Sequence, residues 1–69
     1  MIDELIPLIE KIQAQGAIVL LKWDGGRTEN QCTVVVSRHD TDYVWRRDCS
    51  DIGATLRDAL TEYEVEHGG

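Results

Sequence analysis

Four side chains in the 69-residue sequence are of the types that bind soft metal ions or act as nucleophiles: Cys32, His39, Cys49 and His67. None of them forms the closely spaced Cys-x-x-Cys or His-x-x-x-His pairs that clamp zinc, so we expect no metal site and no cofactor. Cys49 precedes a predicted helix whose N–H dipoles lower a thiol pKa, and a nucleophilic pairing with His39 stays open. The sequence supplies no oxyanion hole or recognisable pocket, so we predict that the protein is not an enzyme.

A glycine-rich segment, Asp24-Gly25-Gly26-Arg27, is the next candidate, because glycine-rich loops can cradle phosphates. A phosphate-binding loop of that kind leads into the N-terminus of a helix, whereas this segment separates two predicted strands. Glycine supplies the positive φ values that tight turns require. We therefore predict a hairpin turn at this segment.

The net charge of −6 is unevenly distributed along the chain. Residues 16–50 carry five acidic and five basic side chains, whereas residues 51–69 carry five acidic side chains and one arginine. Asp58, Glu62 and Glu66 follow one another at intervals of four, which aligns three carboxylates along one helix face. We call these three residues the acidic stripe. It is interpreted either as a solvated face that keeps a small protein soluble or as a docking surface for a basic partner.

A second candidate surface combines large aromatic side chains with a cation, at Trp23, Trp45 and Arg46. Aromatic and arginine side chains are common anchors of protein interfaces, and they also stack on single-stranded bases. We expect one tryptophan to fill the core. We expect the other to be at least half exposed, on a sheet face that no helix covers.

Hydrophobic periodicity predicts a first helix within residues 2–15. Pro7 is tolerated only near the first turn of a helix, so the regular part begins between Asp3 and Ile6. Gly16 can adopt a left-handed conformation at little cost and ends the helix.

Three strands follow, over residues 17–23, 31–38 and 43–47, because these segments are rich in β-branched and aromatic residues and are separated by turn residues. Ser50 or Asp51 is the predicted N-cap of a second helix. The short connections favour an α+β fold with the order α-β-β-β-α. In this fold a three-stranded antiparallel meander carries both helices on one face.

The composition bounds the class of protein. The length predicts a single compact domain over residues 1–69, and 42% hydrophobic with 29% charged residues argues against disorder. No apolar run approaches the roughly 20 residues of a membrane span. The sequence begins without the basic and apolar segments of a secretory signal, so we expect a cytoplasmic protein that does not contact a membrane.

The α-β-β-β-α order resembles the double-stranded RNA-binding domain over nearly the whole chain, at the level of topology. In that family the second helix opens with a Ser-Lys-Lys-x-Ala-Lys segment whose lysines contact RNA phosphates. The matching stretch here, Ser50-Asp51-Ile52-Gly53-Ala54-Thr55, keeps the serine and the alanine but has Asp51, Ile52 and Thr55 at the lysine positions. The net charge of −6 is the reverse of a basic footprint, so we do not expect binding of double-stranded RNA as in that family.

In size and acidity the chain is also similar to very small proteins of phages and mobile elements, some of which block nucleic-acid machinery by presenting carboxylates in place of phosphates. We therefore predict a non-enzymatic interaction module, an inhibitor or adaptor that binds a basic, nucleic-acid-handling protein through the acidic stripe. Two alternatives stay open. One is a homodimeric structural protein that self-associates through the open sheet face. The other is a divergent nucleic-acid-binding domain that uses Arg27, Arg38, Arg46 and Arg47.

Overall fold

The computed structural model describes residues 2–26, 28–29 and 31–67 and confirms the predicted α-β-β-β-α order. A short 3₁₀ turn at Ile2–Glu4 precedes the first helix. The elements are α1 (Ile6–Gln13), β1 (Ala17–Trp23), β2 (Cys32–Arg38), β3 (Val44–Cys49) and α2 (Ile52–His67).

The ends of both helices follow the predicted local rules. Pro7 lies in the first turn of α1, where backbone N–H groups have no acceptor within the helix, so its lack of an N–H costs no helical hydrogen bond. Gly16 ends that segment with a φ of 99°, a left-handed conformation that a side chain would strain. At α2, the Asp51 carboxylate accepts a hydrogen bond from the Ala54 N–H at 3.1 Å and caps the helix.

The three strands form an antiparallel meander in the order β1-β2-β3. Its register places Val19 opposite Val36 and Val36 opposite Trp45. Because side chains alternate along a strand, all three of these side chains lie on one face of the sheet. Both helices pack on this face, α1 against β1 and α2 against β2 and β3, as the sequence predicts.

The hydrophobic core lies between the helices and this sheet face. Its largest fully buried side chains come from α1, β2 and α2 and are Ile12, Val34, Val36, Leu56 and Tyr63. The apolar residues of α2 recur at helical spacing, so one stripe of the helix covers the central strand while the rest faces solvent.

The predicted hairpin connects β1 to β2, but Gly25 and Gly26 do not have the positive φ values expected of a tight turn. Residues 24–31 connect β1 to β2, and Gly16 is the single described glycine with a positive φ. A connection of this length does not require the left-handed positions that a two-residue turn imposes. The Asp24 carboxylate instead accepts a hydrogen bond from the Gly26 N–H at 2.9 Å, which closes a side-chain turn at the end of β1.

Tyr63 joins three elements through its hydroxyl group. The hydroxyl donates a hydrogen bond to the Gln15 side-chain oxygen at 3.0 Å and accepts one from Arg38 at 3.3 Å. Its ring stacks on His67 at 4.0 Å and meets the edge of Tyr43 at 5.7 Å between centroids. The end of α1, the end of β2 and the last turns of α2 are therefore held at one point.

Replacing Tyr63 with phenylalanine tests this junction. We expect Tyr63→Phe to lower the free energy of unfolding by about 1–2 kcal/mol, because two hydrogen bonds are lost while the ring remains. Tyr43→Phe is the matched control, since the buried Tyr43 hydroxyl has no hydrogen-bond partner among the described residues. That change should not lower the free energy of unfolding, because no hydrogen bond is lost and an unpaired buried hydroxyl is removed. Chemical denaturation measures both, and equal losses for the two variants would contradict the assignment.

Candidate functional site

The predicted aromatic surface divides between the two faces of the sheet. Trp23 and Trp45 share the face that packs against the helices, whereas Arg46 lies on the opposite face. Trp23 is 60% exposed at the end of β1, and Trp45 is partly buried against the core. As expected, one tryptophan is more than half exposed, but Trp45 only packs against the core and does not fill it, and the exposed Trp23 does not lie on the uncovered face. The reason is the two-residue period of a strand, which sends neighbouring positions to opposite sides.

The two tryptophans are also not brought together. In the register of the sheet, Trp23 is aligned with Cys32 and Cys49. Trp45 precedes Cys49 by four residues along β3, so its row lies about 13 Å from the row of Trp23. The Arg47 guanidinium lies over the Trp45 ring, 4.8 Å from its centroid. This geometry is that of a cation–π contact on the more buried tryptophan.

The side of the sheet that no helix covers carries a three-by-three array of side chains, which we call the open face. Its three rows across the strands are Ile18, Ser37 and Val44; Leu20, Val35 and Arg46; and Lys22, Thr33 and Asp48. All of these side chains are at least partly exposed except Thr33, which is 4% exposed. The apolar end is strongly exposed: Ile18 is 52%, Leu20 54% and Val44 70% accessible. At the polar end, Asp48 accepts a hydrogen bond from the Thr33 hydroxyl at 2.7 Å and pairs with Arg46 at 3.4 Å.

The acidic stripe is exposed, and its three carboxylates differ in how they are balanced. Asp58 pairs with Arg47 on β3 at 3.0 Å. Glu64, on another side of α2, pairs with Lys11 of α1 at 3.3 Å. Within the described part of the chain, Glu62 and Glu66 form no ion pair. Two carboxylates one helical turn apart in the last turns of α2 thus have no compensating cation in the described chain.

Two neighbours of the stripe are missed by the sequence-based prediction, and helical spacing could have indicated one of them, Val65. Asp42, in the β2–β3 turn, lines the same shallow depression as Glu66 and adds a third exposed carboxylate there. Val65 is 72% exposed and follows Glu62 by three residues, which places it on the same side of the helix. Only the return of β3 beside α2 brings Asp42 to this surface, so helical spacing could not indicate it.

Tyr43 reports the electrostatic field of this surface. Burial raises the pKa of its phenol, and the negative charges of Glu62 and Glu66 raise that pKa further. Asp58 does not contribute to this shift. Glu62 and Glu66, the two carboxylates without an ion pair in the described chain, therefore lie on the side of α2 nearest Tyr43.

The candidate metal ligands and nucleophiles are separated by the fold. Cys32 and Cys49 lie directly opposite each other in the β2–β3 register, both buried and not joined by a disulfide. His39 follows the far end of β2, so the Cys49–His39 pairing left open by the sequence does not occur. The described residues contain no cluster of three or more histidine, cysteine, aspartate or glutamate side chains suited to a metal ion.

Three of the four arginines in the nucleic-acid alternative lie in the described part of the chain, and each pairs with a carboxylate: Arg38 with Asp40 at 2.7 Å, Arg46 with Asp48 and Arg47 with Asp58. Arg27 lies outside the described residues. The Arg38 hydrogen bond also holds the pKa of the Asp40 carboxyl below its usual range. Nucleic-acid phosphates would have to compete with these internal partners.

Comparison with protein-family models, with curated proteins and with solved structures finds no match for this chain. Among the helices described, none is long and apolar enough to cross a lipid bilayer. The likeness to the double-stranded RNA-binding domain is therefore one of element order.

The Tyr43 titration gives a direct test of the field at the stripe. Glu62→Gln/Glu66→Gln should lower the Tyr43 pKa, because two of the charges that oppose ionisation are removed, while burial keeps it above the usual value. Asp58→Asn should leave it unchanged. NMR of ¹³C-labelled tyrosine separates Tyr43 from Tyr63 and measures each pKa. An unchanged Tyr43 pKa in the double variant would contradict the placement of the two glutamates.

The same shift predicts an alkaline limit to stability. Since the Tyr43 pKa is higher in the folded than in the unfolded chain, its protonated form favours folding below about pH 10, and this contribution is lost as pH rises through the folded-state pKa. Tyr43→Phe should flatten the fall in denaturation midpoint above about pH 10. An equally steep fall in the variant would show that another group is responsible.

Proposed function

We propose that this protein is a non-enzymatic interaction module, an inhibitor or adaptor, and that the acidic stripe is its contact surface for a basic protein. The observation that carries the proposal is the imbalance at Glu62 and Glu66. Asp40, Asp58 and Glu64 each have a cation of the same chain within ion-pair distance, whereas Glu62, Glu66 and the neighbouring Asp42 have none among the described residues. A cationic surface on another protein would supply what these two glutamates lack.

The stripe is a poor arrangement for the isolated helix. Glu62 and Glu66 are separated by four residues, so their like charges repel, and the C-terminal end of the helix dipole disfavours anions. Charge at any exposed position would keep the protein soluble, so solubility alone does not require negative charge at the C-terminal end of α2. The arrangement is better explained when an external partner offsets the repulsion.

Val65 favours a protein partner over a simple ion. It is a strongly exposed aliphatic side chain beside the two glutamates. Protein interfaces commonly combine an apolar contact with surrounding charges, and burial of the apolar group excludes water from the ion pairs.

A nucleic-acid-handling protein suits the spacing of these charges. Carboxylates one helical turn apart have Cβ atoms about 5–6 Å from each other and form a row of anions. A nucleic-acid backbone also presents a row of closely spaced anions, which basic clefts bind by releasing counterions. We therefore propose a partner whose basic surface normally contacts phosphates.

Charge reversal with a matched control tests the proposal. Glu62→Lys/Glu66→Lys should abolish capture of one basic protein from cell lysate, whereas Asp3→Lys/Glu10→Lys makes the same change in net charge at exposed sites elsewhere and should retain it. Capture by the wild type should be strong at about 0.1 M salt and weak at about 1 M, where the Debye length falls from about 10 to about 3 Å. Salt-independent capture, or equal loss in both variants, would refute the stripe as the contact surface.

Neutral substitution separates binding from solubility. Glu62→Gln/Glu66→Gln should raise the free energy of unfolding by about 0.5 kcal/mol, because repulsion and the unfavourable helix-dipole interaction are removed. The same variant should bind the captured protein at least about tenfold more weakly, since charge pairs at an interface are lost. Thermal denaturation and a binding titration measure the two effects. A variant that gains stability and keeps its affinity would identify the stripe as ordinary solvated surface.

A further inference from the structure

We propose that two copies of this chain associate face to face through the open face, related by a two-fold axis parallel to β2. This interface is on the side of the sheet away from the helices, so it is independent of the proposed contact at the acidic stripe. It follows from the self-complementary arrangement of side chains on the three strands.

The geometry of such a pair follows from the register. A two-fold axis that runs along β2 between two facing sheets places β1 of one copy over β3 of the other and keeps each row opposite itself. Stacked sheets lie about 10 Å apart with their strands within about 30° of alignment. Each contact then occurs twice, as in an interface that uses the same patch on both subunits.

The charged row is complementary in this arrangement. Lys22 of one copy faces Asp48 of the other, and the symmetry repeats the pair. In the described chain Lys22 has no ion pair of its own. Its long flexible stem can follow the offset that sheet twist introduces between facing strands.

The other two rows match apolar surface with apolar surface. Ile18 faces Val44 of the second copy, and Val35, on the central strand, meets its own equivalent at the axis. Leu20 faces the stem of Arg46, whose guanidinium can reach the rim because β3 is an edge strand. Association would remove Ile18, Leu20 and Val44, three of the strongly exposed large apolar side chains, from water.

The overall charge distribution also favours a second copy at this face. The chain has a net charge of −6, but the open face carries two cations, Lys22 and Arg46, and one carboxylate, Asp48. The excess negative charge of α2 lies on the far side of the sheet. Two acidic chains can therefore meet here with their repelling helices directed apart.

Light scattering across a range of concentrations tests the pair, with a mass of twice the chain's 7.8 kDa expected for the wild type. Lys22→Glu places two carboxylates opposite each other in both copies of the Lys22–Asp48 pair and should weaken association by about tenfold or more. Lys22→Glu/Asp48→Lys restores opposite charges across the interface and should recover much of the dimer. Circular dichroism confirms that each variant is folded.

A second pair of variants does not depend on the charged row. Ile18→Lys inserts a charge into the apolar row and should give monomers, whereas Val65→Lys makes the same change on an exposed valine of α2 and should leave the dimer intact. Glu62→Lys/Glu66→Lys should also remain dimeric, which separates this interface from the acidic stripe. A monomeric wild type at all concentrations, or a dimer insensitive to Lys22→Glu and Ile18→Lys, would overturn the proposal.

Discussion

Tyr63 is a buried and hydrogen-bonded side chain that links the end of α1, the end of β2 and the last turns of α2. Its ring belongs to the core, with 1% of the residue exposed, while its hydroxyl group bonds to Gln15 and Arg38. A small domain buries a modest share of its surface, so few apolar contacts are available to fix how the helices lie on the sheet. A directional polar link at the junction adds geometric specificity that apolar packing alone supplies weakly. The orientation of α2, and with it the direction in which Glu62 and Glu66 point, follows from this junction.

Most of the fold is predictable because its rules are local. Pro7 and Gly16 mark the two ends of the first helical segment through their backbone preferences, and Asp51 marks the start of α2 through its capping oxygen. β1 has the predicted bounds, whereas β3 continues two residues further than predicted, to Cys49. Asp48 has low strand propensity, and pairing of β3 with β2 overrides that preference.

The candidate surfaces are less predictable because they depend on packing between distant segments. Helical spacing correctly aligns the acidic stripe, but it cannot show that Arg47 balances Asp58 and leaves the later carboxylates unbalanced. Strand alternation separates Trp45 from Arg46, yet only the packing of the helices determines which of the two faces solvent. Sequence analysis therefore identifies the residue types of each surface more reliably than their grouping.

The two buried cysteines allow local opening of the sheet to be measured by chemical modification. Cys32 and Cys49 face each other at one end of the β2–β3 pairing, and each is 7% exposed. An alkylating reagent can reach them only when that end of the sheet opens, so the rate of their modification follows the equilibrium between closed and locally unfolded states. The modification rate thus reports the population of states in which the packing around this end of the sheet has opened, which global unfolding experiments do not resolve.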